Sequence, residues 1–497
     1  MIIEKIREKA NSLKIEKRAF IDGIFVKAID GEIMRKVSPV DGCDISGLQS
    51  CTEKDINKAV SAAKRSFNAK IWQEKAPQAK KEILFNLADL IAKNKEELAI
   101  LDTLETGRSF KNYYYDSIPK AIEGIRYFAE SIDKYYDLAI PPRKQSFATI
   151  TREPMGVVGL ITPWNDPLVV AAWKFSPALL MGNSLVLKPA EQSSFSILKV
   201  AKLAKEAGIP DGVFNVVTGY GDIAGKALAL HNDVAGIFFT GSSEVGKLIM
   251  QYSGQSNMKR VGLECGGKSP FIISRNCKNM EKAAETLAKN IFYNQGQICS
   301  AGSRAIVHRD YKKKLIKFLK KESEKYIPND PFDIKTEVGC VVSLDQKRKI
   351  DDYILKGKEC GASMAIPEIS EELYCKECSV LPTIFYDLNN ESIIAREEIF
   401  GPVLVILEFD SIDEAVNIAN DSKYGLSASI WTNDLDEAYH VSRKLRAGIV
   451  HINSYGDDDN SVPFGGINES GIGKDKSIFA FDEYSNLKTT WIKFNKS

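Results

Sequence analysis

Residues 156–191 read GVVGLITPWNDPLVVAAWKFSPALLMGNSLVLKPAE, and their pattern decides the fold. Gly156–Ile161 is a short apolar run rich in β-branched residues, Ala171–Leu180 is helical in period, and Ser184–Lys188 returns to the strand pattern. The alternation continues outward. Ser193–Ala207 reads as a helix, Phe214–Thr218 as a strand, Ala224–Leu230 as a helix, Gly236–Thr240 as a strand and Val245–Gln251 as a helix. Strand and helix trading places every ~25 residues predict a doubly wound parallel sheet. A second series opens at Ser269 and runs through Met280–Tyr293, Arg304–His308, Lys312–Tyr326, Gln346–Lys356, Val403–Phe409, Ile412–Asn420 and Ser427–Thr432. The expected fold class is therefore α/β, with two doubly wound α/β domains joined near residue 264. Upstream, residues 53–135 read as helices, and Lys80–Leu101 carries one amphipathic period. Ser146–Glu153 and Leu487–Phe494 are β-branched and detached from both series, so they are candidates for pairing outside their own sheet or between subunits.

With 497 residues the chain is long enough for about three ordinary domains or two large ones. Its 67 Lys and Arg against 66 Asp and Glu leave a net charge of +1, without the basic excess that phosphate-backbone binding asks for. Nucleic acid is thereby set aside as a partner. Nine cysteines, an odd number thinly spread, fit a reducing compartment better than a disulfide framework. The first twenty residues intersperse acids and bases with no apolar core, so no secretory signal is read there. The most apolar stretch, Gly156–Leu187, is broken by Pro163, Asn165, Asp166, Pro167, Lys174, Pro177 and Asn183, short of the ~20 apolar residues a membrane span needs. A cytoplasmic protein with no membrane partner is expected.

Chemistry concentrates at strand ends. Cys299 lies in Asn294-Gln-Gly-Gln-Ile-Cys-Ser-Ala-Gly-Ser303, a glycine-punctuated link between helix and strand. Backbone N–H groups at such a place lower a thiol pKa and receive an oxyanion. Glu264, in Leu263-Glu-Cys-Gly-Gly-Lys268, stands between an apolar run and two glycines, where partial desolvation would raise its pKa toward the range of a general base. Asn165 closes the Gly156–Thr162 strand, and its amide could donate to a developing oxyanion in the crevice at the carboxyl ends of the strands. Taken alone, each of these has a plainer reading: a structural thiol, a surface carboxylate, a turn-forming Asn.

Two glycine turns follow strands. Gly219-Tyr-Gly221-Asp-Ile-Ala-Gly225 is one residue longer than the dinucleotide fingerprint, and Gly241-Ser242-Ser-Glu-Val-Gly246 keeps only its outer glycines. Either opens a helix toward a phosphate or is an ordinary tight turn. Lys188 and Glu191, at another strand end, suit ribose hydroxyls, and Glu191 would repel a 2′-phosphate. Cys375-Lys-Glu-Cys378 has the CxxC form, but no second pair stands at zinc spacing and the four histidines are scattered, so no metal is expected.

Together these strings resemble the aldehyde dehydrogenase superfamily over nearly the whole chain. Pro154–Asn165, Leu187–Glu191, Phe239–Gly246, Leu263–Pro270, Asn294–Arg304, Arg396–Val403 and Val462–Gly466 all stand in that family's order and spacing. Ser256–Pro270 and Asp482–Ile492 carry a closer likeness to its branch acting on ω-aminoaldehydes, including γ-glutamyl-γ-aminobutyraldehyde. The resemblance implies NAD, with NADP weaker, as cofactor. It implies Cys299 as nucleophile, Asn165 as oxyanion donor and Glu264 as the base that activates the hydrolytic water. Lys188 and Glu191 would hold the adenine ribose, Ser242 with Gly221, Gly225, Gly241 and Gly246 the phosphate turns, and Glu398 the nicotinamide ribose. Phe400, Thr162 and Trp164 would pack nearby, and Trp164 and Phe464 would line the substrate tunnel. The resemblance further implies an NAD-binding domain (1–131 and 152–263), a catalytic domain (264–474) and an oligomerisation element (132–151 and 475–497) that makes homodimers or homotetramers.

The chain departs from the family's common pattern at Asp166, where many members carry an aromatic residue, and at Ile467, where Tyr is frequent. Lys120 lies on a helix that borders the tunnel in the family. Asp166, Lys120 and the acids Asp457, Asp458 and Asp459 just before Phe464 are the candidate substrate-selecting charges. They favour an amine remote from the aldehyde, with Lys120 either pairing with Asp166 or receiving a γ-glutamyl carboxylate. Betaine aldehyde or a neutral aliphatic aldehyde is the alternative. A coenzyme-A-acylating enzyme would have no need of Glu264, and an idle structural protein on the same fold would be free to lose Cys299.

Overall fold

The computed structural model describes residues 2–367 and 373–495. Its first sheet runs, edge to edge, Gly471–Ile472, Arg260–Glu264, Gly236–Thr240, Val157–Thr162, Ser184–Pro189, Phe214–Val216, Ala19–Ile21, Ile24–Val26. The five central strands are parallel and the edges antiparallel. Chain order reverses between Val157–Thr162 and Gly236–Thr240, which makes the topological switch point of a doubly wound sheet.

A second sheet is ordered Ser363–Ala365, Thr383–Tyr386, Val403–Phe409, Arg304–His308, Pro270–Ile273, Ser427–Trp431, Ile449–Ile452, parallel except at the first strand. The expected pair of α/β units is present. In both sheets alternate strand residues enter opposite cores. Val158, Leu160, Leu185 and Leu187 join one buried cluster of the first sheet, and Val157, Ile161, Val186 and Ile237 join the other. Phe271, Ile273, Ala305 and Val307 oppose Ile272, Ile306, Val405 and Ile430 in the second. Burying each Leu or Ile stabilises by about 1.5–3 kcal/mol, so truncating Leu160 to Ala would cost about 2–5 kcal/mol.

Helices Glu53–Asn68, Pro77–Lys93, Lys95–Thr106 and Ile118–Ser131 occupy the expected helical region. The single period read over Lys80–Leu101 is two helices. Asn94 (φ −99°, ψ 11°) interrupts them and donates its side-chain amide to the Leu90 carbonyl at 2.8 Å, competing with the helix backbone. The first fifty residues, from which composition predicted no element, form a helix (Ile2–Ser12), the two edge strands above and a separate hairpin, Ile33–Val37 with Asp44–Gln49.

The two detached strands pair with each other. Ser485–Lys493 runs antiparallel to Ser146–Pro154, which pairs in turn with Leu138–Arg143. The outer edge of Ser485–Lys493 is unpaired, and Leu487 and Trp491 are 66% and 56% exposed. No helix among the described residues is long and apolar enough to cross a membrane.

Candidate active site

The chain leaves the first sheet at Glu264 and enters the second at Pro270, so the carboxyl ends of one sheet meet the amino ends of the other. A cavity of about 190 Å³ lies between them. The first sheet contributes Pro163, Trp164 and Asn165 after one strand, Thr240, Gly241 and Ser242 after the neighbour across the switch point, and Glu264. The second contributes Gly266, Cys299, Glu398 and Phe400, each a few residues ahead of a strand. Phe464 and Asp475, bridged to each other through their backbones, complete the wall.

Cys299 follows three consecutive left-handed residues, Asn294 (φ 51°), Gln295 (φ 55°) and Gly296 (φ 67°). The two that are not glycine cost about 1–2 kcal/mol each, so neighbours must fix them. Gln295 accepts from the Val380 N–H at 3.0 Å and donates to its carbonyl at 3.2 Å, while Gln297 accepts from the Val342 N–H at 3.0 Å. The thiol does not have the lowered pKa expected from sequence. Burial pushes it up to about 12, with the carboxylates Glu398 and Glu264 adding to the shift, and these outweigh the backbone N–H groups of Ser300 and Cys299 that do face the sulfur.

Asn165 lines the same cavity and donates one amide hydrogen to the Gln297 carbonyl at 3.0 Å, which leaves the other. Glu264 is buried as expected, and burial, then Asp475, raises its pKa well above the ordinary range against Lys174 and Lys474. Its Oε2 has no hydrogen-bond partner. A Cβ at Gly465 would collide with its other oxygen, so that glycine admits the carboxylate. Lys174 and Asp475 form a buried ion pair at 2.8 Å beside it. Sequence reasoning missed both, because Lys174 lies inside a helix and only packing brings Asp475 to it.

On the side of the switch point, Ser242 caps the thirteen-residue helix Ser243–Gln255, its Oγ accepting from Val245 N–H at 3.3 Å. Gly241 and Ser242, at the start of that helix, line the cavity. Gly246 packs against the Cys265 sulfur instead, where a Cβ would collide. Gly221–Gly225 forms a widened turn ahead of a helix of only five residues, Lys226–Leu230; Gly221 faces open space, and Gly225 sits over the stem of Lys188. Lys188 pairs with Glu191 at 3.1 Å. Glu398 accepts from the Gly267 N–H at 3.1 Å, and burial raises its pKa to about 7. Trp164 meets Phe400 edge-on at 5.2 Å, and the Thr162 and Thr240 hydroxyls are buried without partners. Gln346 and Lys349 also line this end and were not singled out from sequence. A helix N-terminus, a ribose-sized carboxylate and idle hydroxyls around one crevice fit a dinucleotide.

The opposite end is aromatic. Trp173 tilts against Phe464 at 5.6 Å, with Val170 one helical turn before it. The charges expected there are mostly paired. Lys120 does not reach Asp166. It is exposed and binds Asp116 at 2.8 Å, in the widened turn Tyr113–Ser117 just ahead of its helix. Asp166 is taken by Arg108, which the left-handed Gly107 turns inward from the end of Lys95–Thr106. Asp458 pairs with Lys476 at 2.5 Å, Asp459 accepts from Ser461, and Asp457 is exposed; none of the three lines the cavity. No group of three or more His, Cys, Asp or Glu among the described residues is arranged for a metal.

A sequence profile described as "Aldehyde dehydrogenase family" matches residues 25–490. The NADP/NAD-dependent aldehyde dehydrogenase PuuC of Escherichia coli (strain K12) is 42% identical over 98% of this chain and 97% of its own. The crystal structure of a gamma-glutamyl-gamma-aminobutyraldehyde dehydrogenase from Burkholderia cenocepacia J2315 superposes with a TM-score of 0.97 at 45% identity, covering 100% of both chains. A P. syringae indole-3-acetaldehyde dehydrogenase, AldA, solved in complex with NAD+ and IAA, superposes with a TM-score of 0.97 at 43% identity over 99% of this chain and 100% of its own.

Proposed function

The chain belongs to the aldehyde dehydrogenase family, and on that premise we propose that it oxidises an aldehyde to the carboxylate with NAD as hydride acceptor, NADP serving less well. The observation that carries this reading is the convergence of Cys299, Asn165, Glu264 and Glu398 on one cavity. Lys188 and Glu191 would hold the adenine ribose, the Gly241–Ser242 turn the pyrophosphate and Glu398 the nicotinamide ribose, with Thr162, Trp164 and Phe400 packing around them. When bound, NAD would accept the hydride and supply positive charge to the cavity.

The Cys299 thiol gives its proton to water and its sulfur attacks the aldehyde carbon, so that the C–S bond of a thiohemiacetal forms as the carbonyl π bond breaks. The free amide hydrogen of Asn165 and the Cys299 backbone N–H receive the oxyanion. Loss of hydride leaves a thioester on Cys299. Glu264, with one oxygen unsatisfied, takes a proton from water, and the hydroxide cleaves the thioester to release acid and thiol. Asp475 and Lys174 hold the polar surroundings into which that proton is received.

The substrate we favour is an ω-aminoaldehyde or its γ-glutamyl derivative, supported by the likeness to PuuC and the Burkholderia enzyme and by cation–π attraction for an ammonium at the Trp173 and Phe464 walls. A second reading, a neutral aromatic aldehyde, is favoured by the internal pairing of Asp166 and Asp458. A kcat/KM panel over aminoaldehydes, γ-glutamyl aminoaldehydes, betaine aldehyde, hexanal and arylacetaldehydes with NAD decides. Aminoaldehydes should lead, and aryl leadership overturns the assignment. We further infer a homo-oligomer through the open, apolar edge of Ser485–Lys493, the end of a proposed element whose last two residues, 496–497, lie outside the described ones, and work in the cytoplasm, a compartment that suits nine cysteines standing as free thiols.

A further inference from the structure

Three of the nine cysteines meet outside the cavity. The Cys340 N–H donates to the Gly107 carbonyl at 2.7 Å, the Val341 N–H to the Cys378 carbonyl at 2.8 Å, and the Cys378 N–H to the Cys375 carbonyl at 2.9 Å. These bonds set the Cys340 segment against the turn of the CxxC. The Cys375 side chain packs in the same cluster as Cys340 and Cys378, and its own S–H donates to the Pro39 carbonyl at 2.8 Å. Cys340 and Cys378 are buried, whereas Cys375 is partly open to solvent and left-handed at φ 43°. Donation from Cys340, then from Cys378, holds the Cys375 thiol below its ordinary range, and the same contacts with burial raise its two partners. Cys375 is thus the sulfur of the cluster that an oxidant can reach, with two buried thiols packed beside it.

The surroundings tie this cluster to the reactive loop. Val342 and Val380, each two residues beyond a cysteine of the cluster, are the groups that hold Gln297 and Gln295 ahead of Cys299. Gly107, the acceptor of the Cys340 N–H, precedes Arg108, which holds Asp166 and so the Asn165 loop. We propose that Cys340, Cys375 and Cys378 form an oxidisable thiol centre in which Cys375 closes a disulfide with one of the two buried thiols, displacing the backbone that braces the Cys299 loop.

The oxidant is a hydroperoxide. The Cys375 thiolate attacks its terminal oxygen, the O–O bond breaks, and the leaving alkoxide or hydroxide takes up a proton, giving a sulfenic acid. The buried thiol then attacks that sulfur, the S–S bond forms, the S–O bond breaks, and hydroxide leaves with the thiol proton as water. Two electrons pass from two sulfurs to the peroxide, and a dithiol returns them.

The full-length chain carrying Cys299→Ala, treated with hydrogen peroxide, alkylated and mapped by non-reducing mass spectrometry, tests the bridge independently of the proposed reaction. A dithiothreitol-sensitive disulfide joining Cys375 to Cys340 or Cys378 is expected. Cys375 recovered as an alkylated free thiol, or only as sulfinic acid, overturns the centre. With Cys299 intact, peroxide in the presence of NAD should lower kcat at least fivefold, dithiothreitol should restore it, and Cys375→Ser should resist. Equal, equally reversible loss in Cys375→Ser overturns the coupling to the loop.

Discussion

Arg108 Nη1 stands 3.1 Å from a carboxylate oxygen of Asp166, and the same guanidinium donates to the Tyr293 hydroxyl oxygen at 2.9 Å and to the Asn165 carbonyl at 3.4 Å. A buried cation therefore fixes the backbone of the residue proposed to hold the oxyanion. Removing one member of a buried pair costs about 3–5 kcal/mol, so Arg108→Ala should lower the midpoint of thermal unfolding and kcat together. Asp166→Asn should lower kcat while changing KM for an aminoaldehyde and for hexanal alike, because Arg108 already neutralises that charge. A rise confined to the aminoaldehyde would restore Asp166 as a substrate-selecting acid.

Cys299→Ala should abolish turnover and leave NAD binding, read by intrinsic fluorescence, within about threefold. Glu264→Gln should give one burst of NADH per site and then stall, since thioester formation needs no hydrolytic base. Stopped-flow absorbance separates the two. Steady turnover within tenfold of wild type in either variant sinks the assigned roles.

A thiol held at about 12 changes ionisation little near neutrality. Alkylation of Cys299 by iodoacetamide should therefore be slow in the free enzyme and climb about tenfold per pH unit from 7 to 10 with no plateau. Bound NAD should speed it and flatten the climb by supplying positive charge to the cavity. Glu264, also raised, keeps its proton to higher pH, so the deacylation rate should increase as pH rises through its pKa. A plateau in alkylation below pH 9 without NAD would falsify the burial argument.

Glu191→Gln should raise the ratio of kcat/KM for NADP over NAD, on the order of tenfold, by removing a like charge from the 2′-phosphate. The pairing of Lys188 with Glu191 at 3.1 Å sets that ceiling, because part of the carboxylate charge is already offset. An unchanged ratio removes Glu191 from cofactor choice.

Of the acids before Phe464, Asp458 should matter most. Asp458→Asn strips the partner from Lys476, whose ammonium lies 5.6 Å from the Trp173 ring, and leaves a bare cation near the aromatic end. KM for an aminoaldehyde should rise several-fold and that for hexanal stay put, with Asp457→Asn and Asp459→Asn weaker. Equal responses to both substrates make this loop only a turn.

Much of this was legible because the informative residues sit in short runs of fixed order. Short apolar, β-branched runs alternating with helical stretches point to both sheets, and Glu264, Asn165 and Cys299 stand out at strand or helix ends. What stayed hidden depends on distant pairing. Asn94 splits a helix through one side-chain bond that periodicity does not register. Arg108, Lys174 and Asp475 are ordinary charged residues in sequence, and only packing brings Arg108 to Asp166, 58 positions away by number, and Lys174 to Asp475 across most of the chain. The Cys299 pKa reversed sign for a similar reason. Local N–H groups are visible in sequence, whereas the burial of the sulfur, and after it the charge of Glu398 about a hundred residues downstream, comes only from packing.

Gly471–Ile472 closes the edge of the first sheet against Leu263–Glu264, and Phe464 with Asp475 forms the last wall of the cavity. A polypeptide emerging from a ribosome therefore carries its nucleophile long before the chamber around it exists. Until that closing segment arrives, the wall that orients the aldehyde and aims the water is missing, and a thiohemiacetal formed on the sulfur can only dissociate again. Truncation a few dozen residues short of the end should accordingly yield a chain that reacts with aldehydes without turning them over.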